Sequence, residues 1–339
     1  MAEIKRVAWR SPSNIAIIKY WGKFALQLPM NPSLSFTLAK CCTETQIEFV
    51  KGTGEVQFLY DGKLNPKFQA KVDVFLKRLD LDFLNNFKLT IDSKNNFPHS
   101  AGIASSASAM SALSLCITEI EGNYELNSEE FQRISSYRSR LGSGSACRSI
   151  YPKAAIWGQI VQVPEASNEF AINWSNELHE EFIDIQDWIV MVNKNEKSVL
   201  SSIGHDLMQN HPYRYSRIEQ AKNNLLRLIN ALKIGDWTEF ILVCEEEALS
   251  LHALMMSSKP GYILLEPESI RIIKAICRLR EEKKIPVCFT IDAGPNIHIL
   301  FSKKHTEFMN SWMNSEFGEY MNSDRVIFDQ IGMGPTKRI

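Results

Sequence analysis

The stretch that most constrains this chain is Lys94-Asn-Asn-Phe-Pro-His-Ser-Ala-Gly-Ile-Ala-Ser-Ser-Ala-Ser-Ala-Met110. Before it, Phe87 to Ile91 alternates apolar and polar residues as a half-buried strand does. After it, Ala107 to Glu119 is rich in Ala, Leu, Met and Ser, with almost nothing to stop a helix. The order strand, small-residue loop, helix leaves the amides of the helix's first turn unpaired, and the helix dipole favours an anion there. Gly102, Ala104, Ser105 and Ser106 carry so little side chain that a ligand can approach the backbone closely. The serine hydroxyls add donors and can also sit on a phosphate-bound metal. The same small residues would serve to pack a helix tightly on a sheet, and the loop matches neither of the two common glycine-rich phosphate patterns. On the residues alone, both readings stand.

A chain of 339 residues suits two domains of ordinary size, each able to bury a core. With 45% hydrophobic and 23% charged residues it reads as a soluble globular enzyme or binding protein. A net charge of −1 gives no reason to expect nucleic acid or an anionic membrane as partner, so any anion site must be built from local groups. The start, Met1-Ala-Glu-Ile-Lys-Arg6, lacks the apolar core of a signal peptide, and no charge-free apolar run is long enough to span a bilayer. Seven cysteines, with Cys41 and Cys42 adjacent and no C-x-x-C pair, read as buried free thiols in a reducing compartment. The seven histidines show no metal-ligand spacing. The expectation is a cytoplasmic protein without structural zinc or disulfides.

Along the chain, Val7 to Lys23 holds a break at Ser11-Pro-Ser, an apolar run and an aromatic tail in which Lys19 and Lys23 either line a polyanion pocket or flank a half-buried Trp21. Strands are expected at Thr45–Val50 and Val56–Tyr60, a hairpin turn at Asp61-Gly62 and a helix from Lys67 to Leu79. Ser128 is a good N-cap for a helix that runs out at Tyr137 to Ser149, where serines and glycines surround Arg148. That segment is either a flexible loop or a grip for a carboxylate or phosphate, which arginine holds with two parallel hydrogen bonds. Glu165 to Asp187 is polar and contains the expected domain boundary, and Trp188 to Asn193 reads as the first strand beyond it. Long amphipathic helices are expected at Tyr215–Leu232 and Trp237–Met256, and a third helix at Pro267–Glu282. Val287 to Phe301 reads as strand, tight turn, strand, with Asp292 as either a turn cap or a catalytic carboxylate.

These segments carry a resemblance. Pro98-His-Ser-Ala-Gly-Ile-Ala-Ser-Ser106 resembles the phosphate loop of the GHMP kinase superfamily, P-x-x-x-G-L-x-S-S, and the preceding Asn95-Asn-Phe narrows it to the mevalonate diphosphate decarboxylase branch. Asn14-Ile-Ala-Ile-Ile-Lys-Tyr-Trp-Gly-Lys23 matches that branch's N-I-A-x-x-K-Y-W-G-K, and Asn31-Pro-Ser-Leu-Ser35 the segment after it. Gly142-Ser-Gly-Ser-Ala-Cys-Arg-Ser149 is similar residue for residue to G-S-G-S-A-C-R-S, and Asp292-Ala-Gly-Pro-Asn296 to the motif holding the family's catalytic Asp. Asp329 to Pro335 resembles the terminal T-Q-V-G-x-G-P. Two departures stand out. Tyr151-Pro-Lys153 replaces an aromatic and two glycines, and a proline and a lysine lack glycine's backbone freedom. In the second long helix only His252 and Ala253 survive from D-S-N-x-F-H-A, and His252 is read as structural.

The resemblance implies an α+β GHMP-kinase-type two-domain fold, with a ribosomal-protein-type N-terminal domain (residues 1–186), a ferredoxin-like C-terminal domain (187–339) and the active site in the cleft between them. It implies ATP-dependent decarboxylation of mevalonate 5-diphosphate, with ATP and Mg2+ as cofactors and a homodimer as the usual assembly. Asp292, Lys19 and Arg148 would be catalytic. Tyr20, Lys23, Ser143, Ser145, Arg148 and Ser201 would bind substrate, with Ser201 preferred to Ser202. Asn95, Gly102, Ala104, Ser105 and Ser106 would hold ATP, and Ser106 would face the metal. The alternatives are a kinase that phosphorylates a mevalonate derivative without decarboxylating it, a decarboxylase of the monophosphate, and an inactive nucleotide-binding module.

Overall fold

A computed structural model describes residues 4–98, 103–193 and 201–338. In chain order the first part contains β1 (Lys5–Ile18), β2 (Ser33–Lys51), β3 (Val56–Tyr60), β4 (Lys63–Leu64), α1 (Pro66–Leu79), β5 (Phe87–Asn95), α2 (Ser105–Glu121), α3 (Glu129–Gly142), β6 (Ala154–Trp157) and β7 (Ile172–Asn173). There follow β8 (Ile185–Val190), α4 (Ser201–Leu207), α5 (Arg214–Ile234), α6 (Trp237–Ser257), α7 (Pro267–Lys283), β9 (Val287–Thr290), β10 (Ile297–Ser302), α8 (Thr306–Met321), β11 (Val326–Gln330) and β12 (Thr336–Lys337).

The first sheet is ordered β12-β1-β2-β5-β3-β4, with β6 on the early half of β2 and β7 on β6. Its spine is the antiparallel β1–β2 pair, in register from Lys5↔Phe49 to Ile18↔Leu34 and interrupted near Pro12, where proline cannot donate to the ladder. The second sheet, β11-β8-β10-β9, is antiparallel throughout. Numbered by its own strands that order is four, one, three, two. With helices after its first and third strands it has the split β-α-β-β-α-β plan of ferredoxin-like folds. The α+β class implied by the resemblance is the one observed.

Local chemistry accounts for most element ends. Asn65 caps α1, its side chain accepting from the Phe68 amide, with Pro66 at the first helical position. Ser128 caps α3 through the Phe131 amide, and Asp236 caps α6 through the Thr238 and Glu239 amides. Asp61 and Gly62, both at positive φ, turn β3 into β4. Other expectations shift. The helix before Arg148 continues to Gly142, and the arginine itself lies in a buried 3-10 turn, Gly144–Ile150, rather than a flexible loop. β5 reaches Asn95, past the expected end at Ile91, and β8 begins at Ile185.

The Tyr151-Pro-Lys153 departure leaves the backbone path continuous. Lys153 adopts φ +48° itself, a conformation that costs a non-glycine residue about 1–2 kcal/mol. Its amide donates to Gly332 O (2.8 Å) and its carbonyl accepts from Thr37 N (2.9 Å), while Gly332 N donates to Thr37 O (2.7 Å). A Cβ at Gly332 would lie 2.3 Å from Leu38 O, so glycine is required where this strand crosses β2. The buried Asp329 carboxylate strengthens the crossing, accepting from the amides of Ala39, Lys40 and Cys41 at 2.8–2.9 Å.

One hydrophobic core spans both sheets. Ile15, Ile17, Phe36 and Leu38 of the first pack with Ile185, Ile189 and Leu300 of the second through Leu225, Leu228 and Phe240 of α5 and α6. The end of β1 is thereby fixed against α6 and the turn after β9.

Candidate active site

Lys19 comes directly after β1, and its Nζ lies 2.9 Å from Asp292 Oδ1, so a strand end of one sheet meets a turn of the other. The lysine side chain is sealed (2% exposed), whereas the aspartate keeps 22%. The Asp292 carbonyl accepts from Gly294 N (2.7 Å) and from His252 Nε2 of α6 (3.1 Å). A carbonyl only accepts, so His252 carries its proton on Nε2 and steadies the turn behind the carboxylate. The structural role expected of His252 is thus one played against the candidate base.

The main chain of Lys19 is held as firmly as its tip. Its amide donates to Glu247 Oε2 (2.9 Å), and its carbonyl accepts from Asn31 Nδ2 and Arg217 Nη2 (both 3.0 Å). Sequence reading does not single out Glu247 or Arg217, because Glu247 ends a run of three glutamates in α6.

Arg148 sits in the 3-10 turn with its guanidinium enclosed. Nε and Nη2 point at Asn14 Oδ1 (3.4 and 3.3 Å), Nη1 donates to Ser33 Oγ (2.5 Å), and the group lies 5.9 Å over the Trp157 ring. Every hydrogen-bond acceptor it meets is neutral, and among the described residues no carboxylate forms an ion pair with it. Burial draws its pKa below the usual arginine value, with the charges of Cys147 and Asp292 opposing that fall. A buried cation without a counter-ion calls for an anionic ligand.

Tyr20 packs edge-on against Trp157 (4.7 Å between ring centroids) and lies 4.4 Å from the His205 ring. Its buried hydroxyl has no hydrogen-bond partner among the described residues, and burial raises its pKa. Lys23 is partly exposed, with Nζ 4.0 Å from Asp206. Ser143 closes α3 and stands beside Ser106, hydroxyl to hydroxyl 3.2 Å, while the Ser145 carbonyl accepts from Asn14 Nδ2. Ser201 opens α4 and is half-buried, whereas Ser202 is exposed. That helix is seated on the Lys19–Lys23 segment by Gly204, where a Cβ would strike the Trp21 ring, and by His205 Nδ1, which accepts from Gly22 N (3.0 Å).

On the other side of Ser143 lies the start of α2. Ala104 precedes the helix at φ +43°, and among the described residues its own side chain makes no capping hydrogen bond, so the first turn of α2 begins at Ser105 and Ser106. Asn95 ends β5, its Oδ1 accepting from Thr43 Oγ1 (2.8 Å). Gly102 lies outside the described residues. Buried serines along α2 also pack it tightly, with Ser108 on Thr43 and Ser111 on Ser11, each pair 2.6 Å apart. The packing reading of the small-residue stretch is thus observed along α2. Beside the helix start is a mostly apolar cavity lined by Phe58, Tyr60, Phe68, Val72, Met110 and Leu113, with Asn95, Ser105 and Ser106 at its edge. Sequence reading misses this cavity, because the aromatics of β3 and α1 look like ordinary core. An apolar slot next to a helix N-terminus suits a flat base joined to phosphates.

Among the described residues no three His, Cys, Asp or Glu side chains cluster as a metal site. A hard cation here would therefore take its oxygens chiefly from phosphates and water, with a hydroxyl such as that of Ser106 the suitable protein ligand, and the residues fit magnesium in that form.

Comparison with known proteins gives a consistent answer along the chain. Residues 11–167 match the family model described as Diphosphomevalonate decarboxylase-like N-terminal domain, and residues 188–335 that of the Mevalonate 5-diphosphate decarboxylase C-terminal domain. The diphosphomevalonate decarboxylase of Ganoderma lucidum is 30% identical over 321 residues, covering 87% of this chain and 78% of that protein. The solved mevalonate diphosphate decarboxylase of Staphylococcus aureus is 30% identical, with a TM-score of 0.83 over 99% of both chains. A structure described as MDDEF in complex with MVAPP, AMPPCP and magnesium is 29% identical, with a TM-score of 0.83 over 99% of both chains.

Proposed function

Because this chain belongs to the diphosphomevalonate decarboxylase family, we propose that it decarboxylates mevalonate 5-diphosphate at the expense of ATP, giving isopentenyl diphosphate, ADP, phosphate and CO2. The observation that carries this reading is the sealed Lys19 holding a partly open Asp292 at 2.9 Å, with the field of that carboxylate felt by the enclosed Arg148.

The substrate's tertiary hydroxyl is a poor leaving group. Asp292 takes its proton as the oxygen attacks the terminal phosphorus of ATP, and ADP departs. The C–O bond then breaks with its electron pair on phosphate, leaving positive charge on carbon. The neighbouring C–C bond supplies the electrons of the new alkene, and the carboxylate leaves as CO2. Lys19 offsets charge on the moving phosphoryl group and holds the Asp292 carboxylate in place at 2.9 Å. Arg148 holds the substrate carboxylate. The unpartnered Tyr20 hydroxyl, Lys23, Ser143, Ser145 and Ser201 take the diphosphate end, and Asn95, Ala104, Ser105 and Ser106, with Gly102, take ATP. Magnesium, bound with the nucleotide, neutralises phosphate charge, and Ser106 is the protein hydroxyl assigned to it.

The division is placed at 1–186, carrying the phosphate loop, and 187–339, carrying Asp292. Seven free thiols, six of them buried, suit the cytoplasm, and the assembly is taken as a homodimer, to be checked by sedimentation. Among the described residues no helix is long and apolar enough to cross a membrane.

The deciding experiment supplies ATP, Mg2+ and carboxyl-labelled mevalonate 5-diphosphate and traps CO2. Equal release of ADP and labelled CO2 supports the decarboxylase. ADP with a stable phosphorylated acid makes it a kinase, and preference for the monophosphate in a parallel assay changes the substrate.

A further inference from the structure

Arg217 of α5 and Glu247 of α6 form an ion pair sealed from solvent, with contacts of 2.7 and 2.6 Å. Burying two charges costs desolvation free energy that apolar side chains of similar size would not incur, so helix docking alone does not explain the pair. What distinguishes it is its other partners. Glu247 Oε2 accepts the Lys19 amide (2.9 Å), and Arg217 Nη2 donates to the Lys19 carbonyl (3.0 Å). The ion pair thus closes a ring around one residue's main chain, at the point where the β1–β2 ladder has stopped at Ile18↔Leu34. Asn224 Nδ2 donates to Glu247 Oε1 (2.9 Å), so both carboxylate oxygens are fully engaged.

We infer that Arg217 and Glu247 are positioning residues for Lys19. They fix the peptide from which its side chain reaches Asp292, and through that they set the rate of the chemical step. This rests on the reading of Lys19 and Asp292 as catalytic. A lysine side chain has four rotatable bonds, and a main chain free to tilt would move Nζ by an ångström or more. Misplacement on that scale costs about 100-fold in rate. The rest of the segment is held separately, Tyr20 by Trp157 and the Gly22 amide, next to Lys23, by His205, so substrate affinity should survive the loss of the ring.

The test uses Glu247→Gln and the double variant Arg217→Met/Glu247→Leu, which replaces the ion pair by apolar groups and removes two of the three hydrogen bonds on the Lys19 main chain, leaving that from Asn31. The double variant should melt no lower than the parent while kcat falls at least about 10-fold, towards about 100-fold, with both KM values within about twofold. In Glu247→Gln the uncompensated Arg217 charge should also move the acid limb of the kcat profile to lower pH. Unchanged kcat in a folded double variant overturns the inference, and so does a double variant that fails to fold, since the pair would then serve the helices. Lys19→Met and Asp292→Asn are run alongside. If they retain turnover the catalytic reading fails first; if they are inactive while the Arg217 and Glu247 variants behave as the parent, only the positioning role falls.

Discussion

Asp292 and Lys19 touch at 2.9 Å, yet only the aspartate opens towards solvent. The lysine is enclosed, and the carboxylate keeps 22% of its side chain exposed. In Asp292→Asn the amide keeps the shape but cannot take a proton, so turnover should fall by about 100- to 10,000-fold. Both substrates should still bind by calorimetry. Near-normal turnover in the folded variant would remove Asp292 from the chemistry and leave it a turn residue.

Among the described residues Arg148 is enclosed by neutral acceptors, Asn14 and Ser33. Arg148→Gln should weaken binding of the carboxylate substrate by about 1.5–3 kcal/mol while ATP affinity stays within about twofold. Equal weakening of both ligands would assign the arginine to the nucleotide or to the fold of the turn.

Lys153 adopts a left-handed backbone that glycine adopts without steric penalty. Lys153→Gly should raise stability by about 1 kcal/mol, the steric relief being partly offset by glycine's extra unfolded-state entropy. Urea unfolding gives the comparison, and kcat should not move. A less stable variant would mean that the lysine side chain outweighs its own backbone strain.

Asp329 satisfies the amides of Ala39, Lys40 and Cys41 with one carboxylate. Asp329→Ala leaves these donors in a closed crossing and should cost at least about 3 kcal/mol, and Asp329→Asn, which still accepts at one oxygen, should cost less. If alanine and asparagine cost the same, the one oxygen that asparagine keeps contributes nothing, and the stabilisation needs the whole carboxylate.

Burial pushes the Asp187 carboxyl above its usual value, with His298 Nδ1, 2.8 and 2.9 Å from its oxygens, pulling the other way. A carboxyl raised in the fold keeps its proton where the unfolded chain has lost it. Stability therefore falls as pH rises from about 4 towards the folded value. Asp187→Asn should flatten that slope in a pH series of thermal melts, and the same slope in both proteins would place its source elsewhere.

How much of the molecule is legible in its sequence depends on how local each signal is. Ser128 caps α3 and Asp61-Gly62 turns a hairpin through chemistry contained in a few neighbouring residues. Lys19, Arg148 and Asp292 lie in segments dense enough in unusual residues to stand out, although nothing local says that the first and last touch. Glu247 is hidden for a different reason. It is the third of three consecutive glutamates, and such a run looks like a solvated face. In the fold Glu245 goes to Arg280 of α7, Glu246 to Arg227 and Gln220 of α5, and Glu247 inward to Arg217 and Lys19. The helical turn sends them in different directions, and only the neighbours decide which one is buried. The aromatic cavity by α2 is hidden likewise, since Phe58 and Phe68 would look the same around a ligand as in a core. Lys153 misleads because residue type sets the cost of a left-handed backbone, whereas the surrounding ladder decides whether that cost is borne.

The sequence separation of 273 between Lys19 and Asp292 also has a consequence for biosynthesis. Synthesis runs from the N-terminus, and a growing chain can form β1, β2 and α2 long before Asp292 exists. Through that interval the nascent protein carries Lys19 with no carboxylate to meet it, and the first sheet still lacks β12, which pairs Trp9 with Lys337. The Lys19–Asp292 contact and closure of that sheet both wait for the last part of the chain. A contact of such long range is slow to form, so refolding from denaturant should recover helical signal well before it recovers turnover.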